Sequence, residues 1–383
     1  MDDRPLLLDV SRMVWRVWSS RLPTGIDRVC LAYLERFADR ALAVVQRGEF
    51  RMVLSATQSD ALFALLREGG RGFRPRLVAL LGQAILRRER VAMAGKLYLN
   101  IGHTGLDAPG LPAWLARRRL RPVFLIHDLI PITHPEFCRD GEDLRHKARM
   151  RHALSSAHGI IANSRATLDA LTAFAASDGL SMPESMVAWL GADEQVDPVP
   201  LPPPARPSFV TIGTIEARKN HLLLLHIWER LAARMGPNTP ELILVGQRGW
   251  EADDVFALLD RSPRLKGHVR ELGRCDDATM LATIDQARAV LLPSFIEGFG
   301  IPLVEALQRG TPVIASDLPV FHEIAGEIPL YLDPLDGQRW ETVICDFLTD
   351  SSERQRQLAA IPDFRPHSWE DHFNRVEVWL SEL

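Results

Sequence analysis

Four cysteines in 383 residues, at positions 30, 138, 275 and 345, form no Cys-x-x-Cys pair. That scatter argues against a structural zinc site or a disulfide framework, and for a reducing compartment. No apolar stretch reaches the roughly 18–20 residues that a membrane-spanning helix needs. At the N-terminus Met1-Asp2-Asp3-Arg4 precedes a run of only three leucines, which is no signal peptide. These absences lead to the expectation of a cytoplasmic protein, resting at most on the inner face of the membrane. There is no internal repeat, and no low-complexity tract beyond one proline-rich segment.

A hydrophobic content of 46% over 383 residues supports two sizeable cores rather than one. The net charge of −4 hides an asymmetry: residues 1–200 carry 27 Lys+Arg against 22 Asp+Glu, and the remainder 18 against 27. Within residues 51–100 the count is 9 against 3, so the basic excess belongs to one surface. A local excess of that kind does not point to nucleic acid as a partner.

Proline is dense only in Val196-Asp197-Pro198-Val199-Pro200-Leu201-Pro202-Pro203-Pro204-Ala205-Arg206-Pro207. Such a run holds neither a helix nor a central strand, and reads as a stiff connector. The expected division is therefore residues 1–197, a linker at 198–207, a second domain at 208–365, and a C-terminal amphipathic helix within 366–383. Strands are expected at 6–10, 43–45, 97–101, 123–126, 159–162 and 186–190. In the second half they are expected at 209–212, 241–245, 269–272, 289–292, 313–315 and 330–332. Helical patterns alternate with them, at 25–39, 60–66, 76–88, 111–118, 143–156 and 164–176 in the first half. Two series of strand–helix alternation predict α/β architecture with two parallel sheets. Ligands in such folds bind beyond the carboxyl ends of the strands, which places the expected site in a deep cleft between the two domains.

The most informative segment follows the apolar run 289–292. It is a Gly-rich loop, Glu297-Gly298-Phe299-Gly300, leading through Ile301, Pro302 and Leu303 to Glu305. With a helix starting near Pro302, Glu305 falls in the first turn and Glu297 in the loop before it. A strand–loop–helix unit of this kind aims backbone N–H groups and a positive helix end at one point, which suits a phosphate. Carboxylates beside it are poor phosphate ligands but good acceptors for sugar hydroxyls, and together they describe a sugar nucleotide. Upstream, Gly213 ends another strand and is followed by Arg218-Lys219. Two adjacent cations can neutralise a diphosphate leaving group as it gains charge; the plainer reading is a solvated surface turn. Gly246 closes the strand Leu242-Ile243-Leu244-Val245 before Gly249-Trp250.

In the first half, His127-Asp128 stands at the carboxyl end of a strand. His127 is either structural or part of the site, and Asp128 either orients it or caps the loop. Asn100-Ile101-Gly102-His103 ends another strand, making His103 a candidate on the acceptor side. Gly25 opens a helix where a backbone can approach a ligand closely. Asp27 either contacts an acceptor or caps that helix, and Arg28 either serves a phosphate or is solvated. The basic segment 71–90 combines an apolar face with arginines. It is either a helix that binds an anionic membrane or one buried by that face.

The pair Glu297 and Glu305, within Pro-Ser-x-x-Glu-Gly-Phe-Gly-x-Pro-x-x-Glu-Ala and followed by Gly-Thr-Pro-Val-Ile-Ala, resembles the Glu-x7-Glu signature of retaining GT-B glycosyltransferases of family 4. His127-Asp128-Leu129-Ile130-Pro131 and the Gly-Trp element resemble its mannosyltransferase-like members. The resemblance implies that Glu305 binds the ribose of a nucleotide-diphosphate sugar, with GDP-mannose the first expectation. Glu297 and the Gly298–Phe299–Gly300 backbone would hold the hexose, with Ile301 and Leu303 beside them. Lys219, joined by Arg218, would meet the diphosphate, His127 the donor sugar, and the last helix would return to the first domain. Gly25 and Arg28 resemble a loop that approaches the donor phosphate, although Asp27 replaces the usual glycine there. Arg218 likewise stands in for a cation that many members carry at the position of Thr214. No cofactor or metal is expected, because no Asp-x-Asp is placed to hold one. The acceptor would be a saccharide or a lipid-linked saccharide in polysaccharide or lipopolysaccharide assembly. Two rivals share the donor site: a sugar-nucleotide epimerase or hydrolase of the same fold, and a non-catalytic binding protein.

Overall fold

Most of the short apolar runs become buried parallel strands. A computed structural model describes residues 4–20, 24–70, 72–87, 91–192 and 197–383. Residues 1–3, Pro23, Arg71, Arg88, Glu89, Arg90 and Val196, which belong to expected segments, lie outside the described residues. The chain divides into two units, one from Met1–Ile132, Asp143–Leu190 and Trp369–Leu383, the other from Thr133–Glu142 and Gly191–Ser368.

The first unit carries β1 (Leu6–Asp9), β2 (Ala41–Arg47), β3 (Phe50–Val53), β4 (Leu97–Asn100), β5 (Arg121–Ile126), β6 (Gly159–Ala162) and β7 (Glu184–Val187). They form one sheet in the order β3-β2-β1-β4-β5-β6-β7. Every pair is parallel except β2 with β3, a hairpin closed by a two-residue turn at Gly48. Leu7, Tyr98, Phe124 and Ile160 are wholly buried at its centre. The last helix, Trp369–Glu382, packs in this unit. Its Phe373 ring meets Tyr33 and Phe37 edge-on at 5.0 and 5.7 Å. His372 donates Nδ1–H to the Trp189 carbonyl, which leaves Nε2 to accept from the Tyr33 hydroxyl at 2.9 Å.

The second unit carries β8 (Ser208–Ile212), β9 (Glu241–Val245), β10 (Val269–Gly273), β11 (Ala289–Leu292), β12 (Val313–Ser316) and β13 (Leu330–Leu332). All are parallel, in the order β10-β9-β8-β11-β12-β13. This is the doubly wound order, in which the direction of strand succession across the sheet reverses between β8 and β11. Phe209, Trp228, Leu291, Ile314 and Trp340 fill the core. The segment Thr133–Glu142, sequentially part of the first half, belongs here. Aromatic packing accounts for that, since Phe137 stacks on Phe295 at 5.1 Å with planes 3° apart and the Arg139 guanidinium covers Trp250.

Two elements of the first unit depart from expectation. Ser11–Trp18 forms a helix directly after β1, and β3 adds the antiparallel edge. The helix is only eight residues long, barely two turns, which is too short a stretch for a 3.6-residue period to be told from other patterns in sequence. Strand β7 ends at Val187, three residues before the expected end, with Ala188 and Leu190 buried beyond it.

Candidate active site

The reversal between β8 and β11 places two loops side by side in the second unit. After β8 the chain passes Gly213, makes a short turn at Ala217–Lys219, and enters the helix His221–Met235 through Asn220 in a left-handed conformation. After β11 it runs through residues 293–300 into the helix Ile301–Gln308. The Phe295 N–H donates to the Arg218 carbonyl at 2.8 Å, tying one loop to the other. Behind them Gly246 lies so close to the β8 loop that a Cβ would stand 1.9 Å from the Gly213 oxygen. Any side chain at Gly246 would push the two turns apart, so its part is to let backbones pack.

Four charged side chains converge there. Arg218 Nη1 donates to Glu297 Oε2 at 2.6 Å and to the Ile296 carbonyl at 3.1 Å. Arg218 Nε lies 2.6 Å from Glu216 Oε1. Lys219 Nζ donates to Glu297 Oε1 at 2.5 Å, and the Ser294 hydroxyl donates to the same oxygen at 2.8 Å. Glu216 and Glu297 are both nearly sealed from solvent, at 4% and 9% side-chain exposure. Burial pushes the Glu297 carboxyl up, but Arg218 and Lys219, by charge and by hydrogen bond, outweigh it and hold it at about 2. For Glu216 burial wins and the pKa is raised, with Arg218 and Lys219 only partly offsetting it. The cluster therefore holds two carboxylates and two cations in a site of low polarity, where an arriving anion would compete with Glu297 for the cations.

The helix after the Gly-rich loop starts at Ile301, because Gly300 adopts φ +118° and ends the loop there. Pro302 is thus the second residue, and Glu305 lies beyond the first turn rather than in it. Glu305 is half-buried. Phe299 and Leu303 bury their side chains, and the Leu303 N–H donates to the Gly300 carbonyl. Those two residues enter the site as packing, and Ile301 and Gly298 are partly exposed beside them.

The first unit has its own reversal, between β1 and β4, with imidazoles at and beside it. His103, at the end of β4 and at φ +59°, donates Nε2–H to the Leu125 carbonyl at 2.8 Å. His127, at the end of β5, donates Nε2–H to the Ile101 carbonyl at 2.8 Å, and the two rings lie 5.2 Å apart. His146 lies 5.9 Å from His103 and donates Nε2–H to the Asp128 carbonyl. Burial pushes the His127 pKa down to about 4 and His103 well below its usual value, where the neighbouring His127, His146 and Arg149 add to the effect. Both rings are neutral at pH 7. The Asp128 carboxylate accepts from the Ile130 N–H at 3.1 Å, so it caps the short helix Ile130–Thr133.

Asp27 has a structural employment. It accepts from the Thr24 N–H and hydroxyl, both at 2.7 Å, closing the capping box of the helix Gly25–Phe37. It also pairs with Arg12 at 2.7 Å and Arg16 at 3.0 Å, both from the helix Ser11–Trp18. A carboxylate bound this way is turned toward its own helix, and of the two readings for Asp27 this is the cap. Gly25 is exposed as the first residue of that helix, and Arg28 is half-exposed. Arg12, Arg16, Glu216 and Ser294 are the participants that sequence reasoning missed. The Arg-x3-Arg spacing after β1, which puts both cations on one helical face, is the signal that would have found the first two. Among the described residues no group of three or more His, Cys, Asp or Glu side chains could hold a metal ion.

Residues 193–360 match the model of the family described as glycosyl transferases group 1. Over 161 residues the chain is 37% identical to an O-antigen chain mannosyltransferase B of Escherichia coli, covering 42% of each protein. Over 113 residues it is 39% identical to a phosphatidyl-myo-inositol mannosyltransferase of Mycolicibacterium smegmatis, covering 29% of this chain and 28% of the relative. The chain thus spans less than half the length of the curated relatives it matches. The fold likeness extends further. The Anabaena protein HepE, in complex with UDP-glucose, superposes with a TM-score of 0.68 at 17% identity, over 99% of both chains. The sucrose-phosphate synthase of Thermosynechococcus elongatus gives 0.63 at 18% identity, over 99% of this chain and 98% of the other. The chain has the GT-B fold of two parallel-sheet α/β domains.

Proposed function

We propose that the chain is a retaining, metal-independent glycosyltransferase of family 4. It would move a hexose, mannose from GDP-mannose in the first instance, to a saccharide or lipid-linked saccharide acceptor. The observation that carries the reading is the meeting of Arg218, Lys219 and Glu297 where the sheet order reverses between β8 and β11. Two cations and the N-terminus of the helix Ile301–Gln308 suit a nucleoside diphosphate. Mannosyltransferases of O-antigen and phosphatidyl-myo-inositol among the relatives support mannose as the sugar and polysaccharide or lipopolysaccharide assembly as the setting, which in this proposal is cytoplasmic.

In this proposal the diphosphate takes Arg218 and Lys219 in exchange for Glu297, whose freed carboxylate then accepts from hexose hydroxyls. Glu305 receives the ribose hydroxyls. As the C1–O bond to phosphate breaks, negative charge grows on the leaving oxygen beside Lys219, so the cations act most strongly in the transition state. The acceptor oxygen forms its bond to C1 on the same face, and its proton passes to the leaving phosphate. His127, neutral and held by Ile101, offers a fixed polar edge to the sugar rather than a charge.

Thermal-shift screening against GDP-, UDP- and dTDP-sugars tests the donor. A ligand at 100 times its Kd should stabilise the protein by about 2.7 kcal/mol. Incubation with the donor so identified and candidate saccharides should then yield an α-linked product from an α-linked donor, read from the anomeric proton coupling, and activity should survive EDTA. A β-linked product or a requirement for Mg²⁺ would overturn the mechanism. Hydrolysis or epimerisation with no transfer to any acceptor would overturn the function.

A further inference from the structure

The helix Phe73–Arg87 in the first unit has two apolar faces where one is expected. Phe73, Leu77 and Ala84 are buried and account for its packing against the rest of the unit. At about 100° per residue, Val78, Ala79, Gly82, Ile85 and Leu86 occupy the arc opposite those three. On an ordinary surface helix that outer arc carries the charged residues. Here it carries none. Val78, Ile85 and Leu86 are 57%, 52% and 84% exposed, three of the large hydrophobic side chains most open to solvent among the described residues.

Charge on this helix lies off the arc and has one sign. The helix holds Arg74, Arg76 and Arg87 and no acid at all. Arg74 borders the arc beside Ile85, and Arg87 closes the helix at its C-terminal end, where a long side chain can reach past the arc. Arg74 also covers the Trp18 ring at 5.7 Å and donates to the Trp18 carbonyl. Arg76 reaches back to Glu68 on the preceding helix. An apolar stripe rimmed by arginines and cleared of carboxylates complements an anionic, amphipathic surface. A second copy meeting the same face would set one arginine rim against the other, which opposes a symmetric dimer there.

We propose that the outer face of the helix Phe73–Arg87 docks on an anionic lipid bilayer. The helix lies flat at the interface, with Val78, Ile85 and Leu86 in the acyl boundary and Arg74 and Arg87 at the headgroup phosphates. The docking stands independently of the sugar chemistry, and binding is measured without it.

The test is co-sedimentation of the full chain with phosphatidylcholine vesicles, with and without phosphatidylglycerol, at low and high salt. The protein should pellet with the phosphatidylglycerol vesicles, and less so at high salt. Leu86→Asp and Ile85→Asp should each weaken this about tenfold or more, and Arg74→Glu and Arg87→Glu about fivefold or more. All four positions are on the surface, and unchanged circular dichroism and unfolding midpoint confirm that the variants fold. Wild-type protein left in the supernatant, equal binding to neutral vesicles, or Leu86→Asp binding like wild type would each overturn the proposal. So would a wild-type dimer that Leu86→Asp dissolves, since the face would then belong to a second copy.

Discussion

The two sheets of this chain reverse their strand order in the same way and furnish the reversal differently. In the second unit the loops after β8 and β11 bring together Glu216, Arg218, Lys219 and Glu297, buried charges that neutralise one another. In the first, His103 and His127 are neutral rings fixed by backbone carbonyls, and the nearby charges of Asp27, Arg12 and Arg16 are spent on a helix cap. A charged cluster can hand its cations to an incoming anion, because removing Glu297 from the pair leaves two ready partners. A neutral one can only offer shape and hydrogen bonds. The proposed diphosphate site in the second unit rests on that contrast.

The largest effect should come from Lys219→Ala. Removing one donor aimed at developing charge typically lowers kcat about 100- to 1000-fold, whereas nucleotide affinity should fall only about tenfold. Steady-state kinetics and calorimetry separate the two. A loss confined to KM would mean that Lys219 merely anchors the ground state, and the contrast between the units would lose its catalytic meaning.

Acid should expose the difference next. His127 and His372 in the first unit, both at about 4, and His221 in the second, at about 3, sit below the ordinary histidine value because burial disfavours the charged ring. Their folded pKa values are depressed, so their stabilisation is complete above pH 6.5. It drains away as pH falls toward 4, when the unfolded chain takes up protons that the native rings refuse. The loss approaches about 3 kcal/mol per fully buried ring. Glu297, held at about 2, keeps its ion pairs through that whole window. Urea unfolding at pH 7 and pH 4.5 should show the decline, and His127→Gln should reduce it by about a third, His221 and His372 supplying the rest. A midpoint indifferent to pH in this range would mean that the rings are not neutral in the native protein.

Smaller effects sharpen the roles within the charged cluster. Glu305→Ala should weaken nucleotide binding about tenfold with the fold intact, since a half-buried helix carboxylate is not needed for packing. Unchanged affinity in calorimetry would remove Glu305 from the ribose. Glu216→Gln should tighten nucleoside diphosphate binding about threefold. It removes one of the two carboxylates that compete for Arg218 while leaving an acceptor for Nε. Weaker binding would make Glu216 a clamp that positions Arg218 rather than a counter-charge.

Much of this was legible in the residues themselves. The bounds of β6, β9 and β11 follow from apolar runs punctuated by Gly, Pro or Asp, because a strand buried on both faces must be continuous in hydrophobicity, and those of the edge strand β13 from its flanking Pro329 and Asp333. The helix Ser11–Trp18 was hidden by its length, and β3 by its four half-exposed residues, although Gly48 after the run of β2 is a hairpin signal. At the candidate site the sequence singled out Arg218, Lys219 and Glu297, which the structure brings together, and Glu305, which is proposed for the ribose. It did not foresee that Glu297 is gripped by both cations, because the partners lie 79 and 78 residues apart in sequence and meet only through the β8–β11 pairing. The second employment of Asp27 was missed for the same reason, its arginines lying on a helix that had not been anticipated.

The central claim is that the cations between β8 and β11 recognise a diphosphate, and one set of titrations addresses it directly. Calorimetry should compare a nucleoside diphosphate with its monophosphate on the wild-type protein and on Lys219→Met. The wild type should bind the diphosphate more tightly, and Lys219→Met should lose most of that preference while binding the monophosphate nearly as before. Equal affinities on the wild type, or a preference that survives Lys219→Met, would contradict the account.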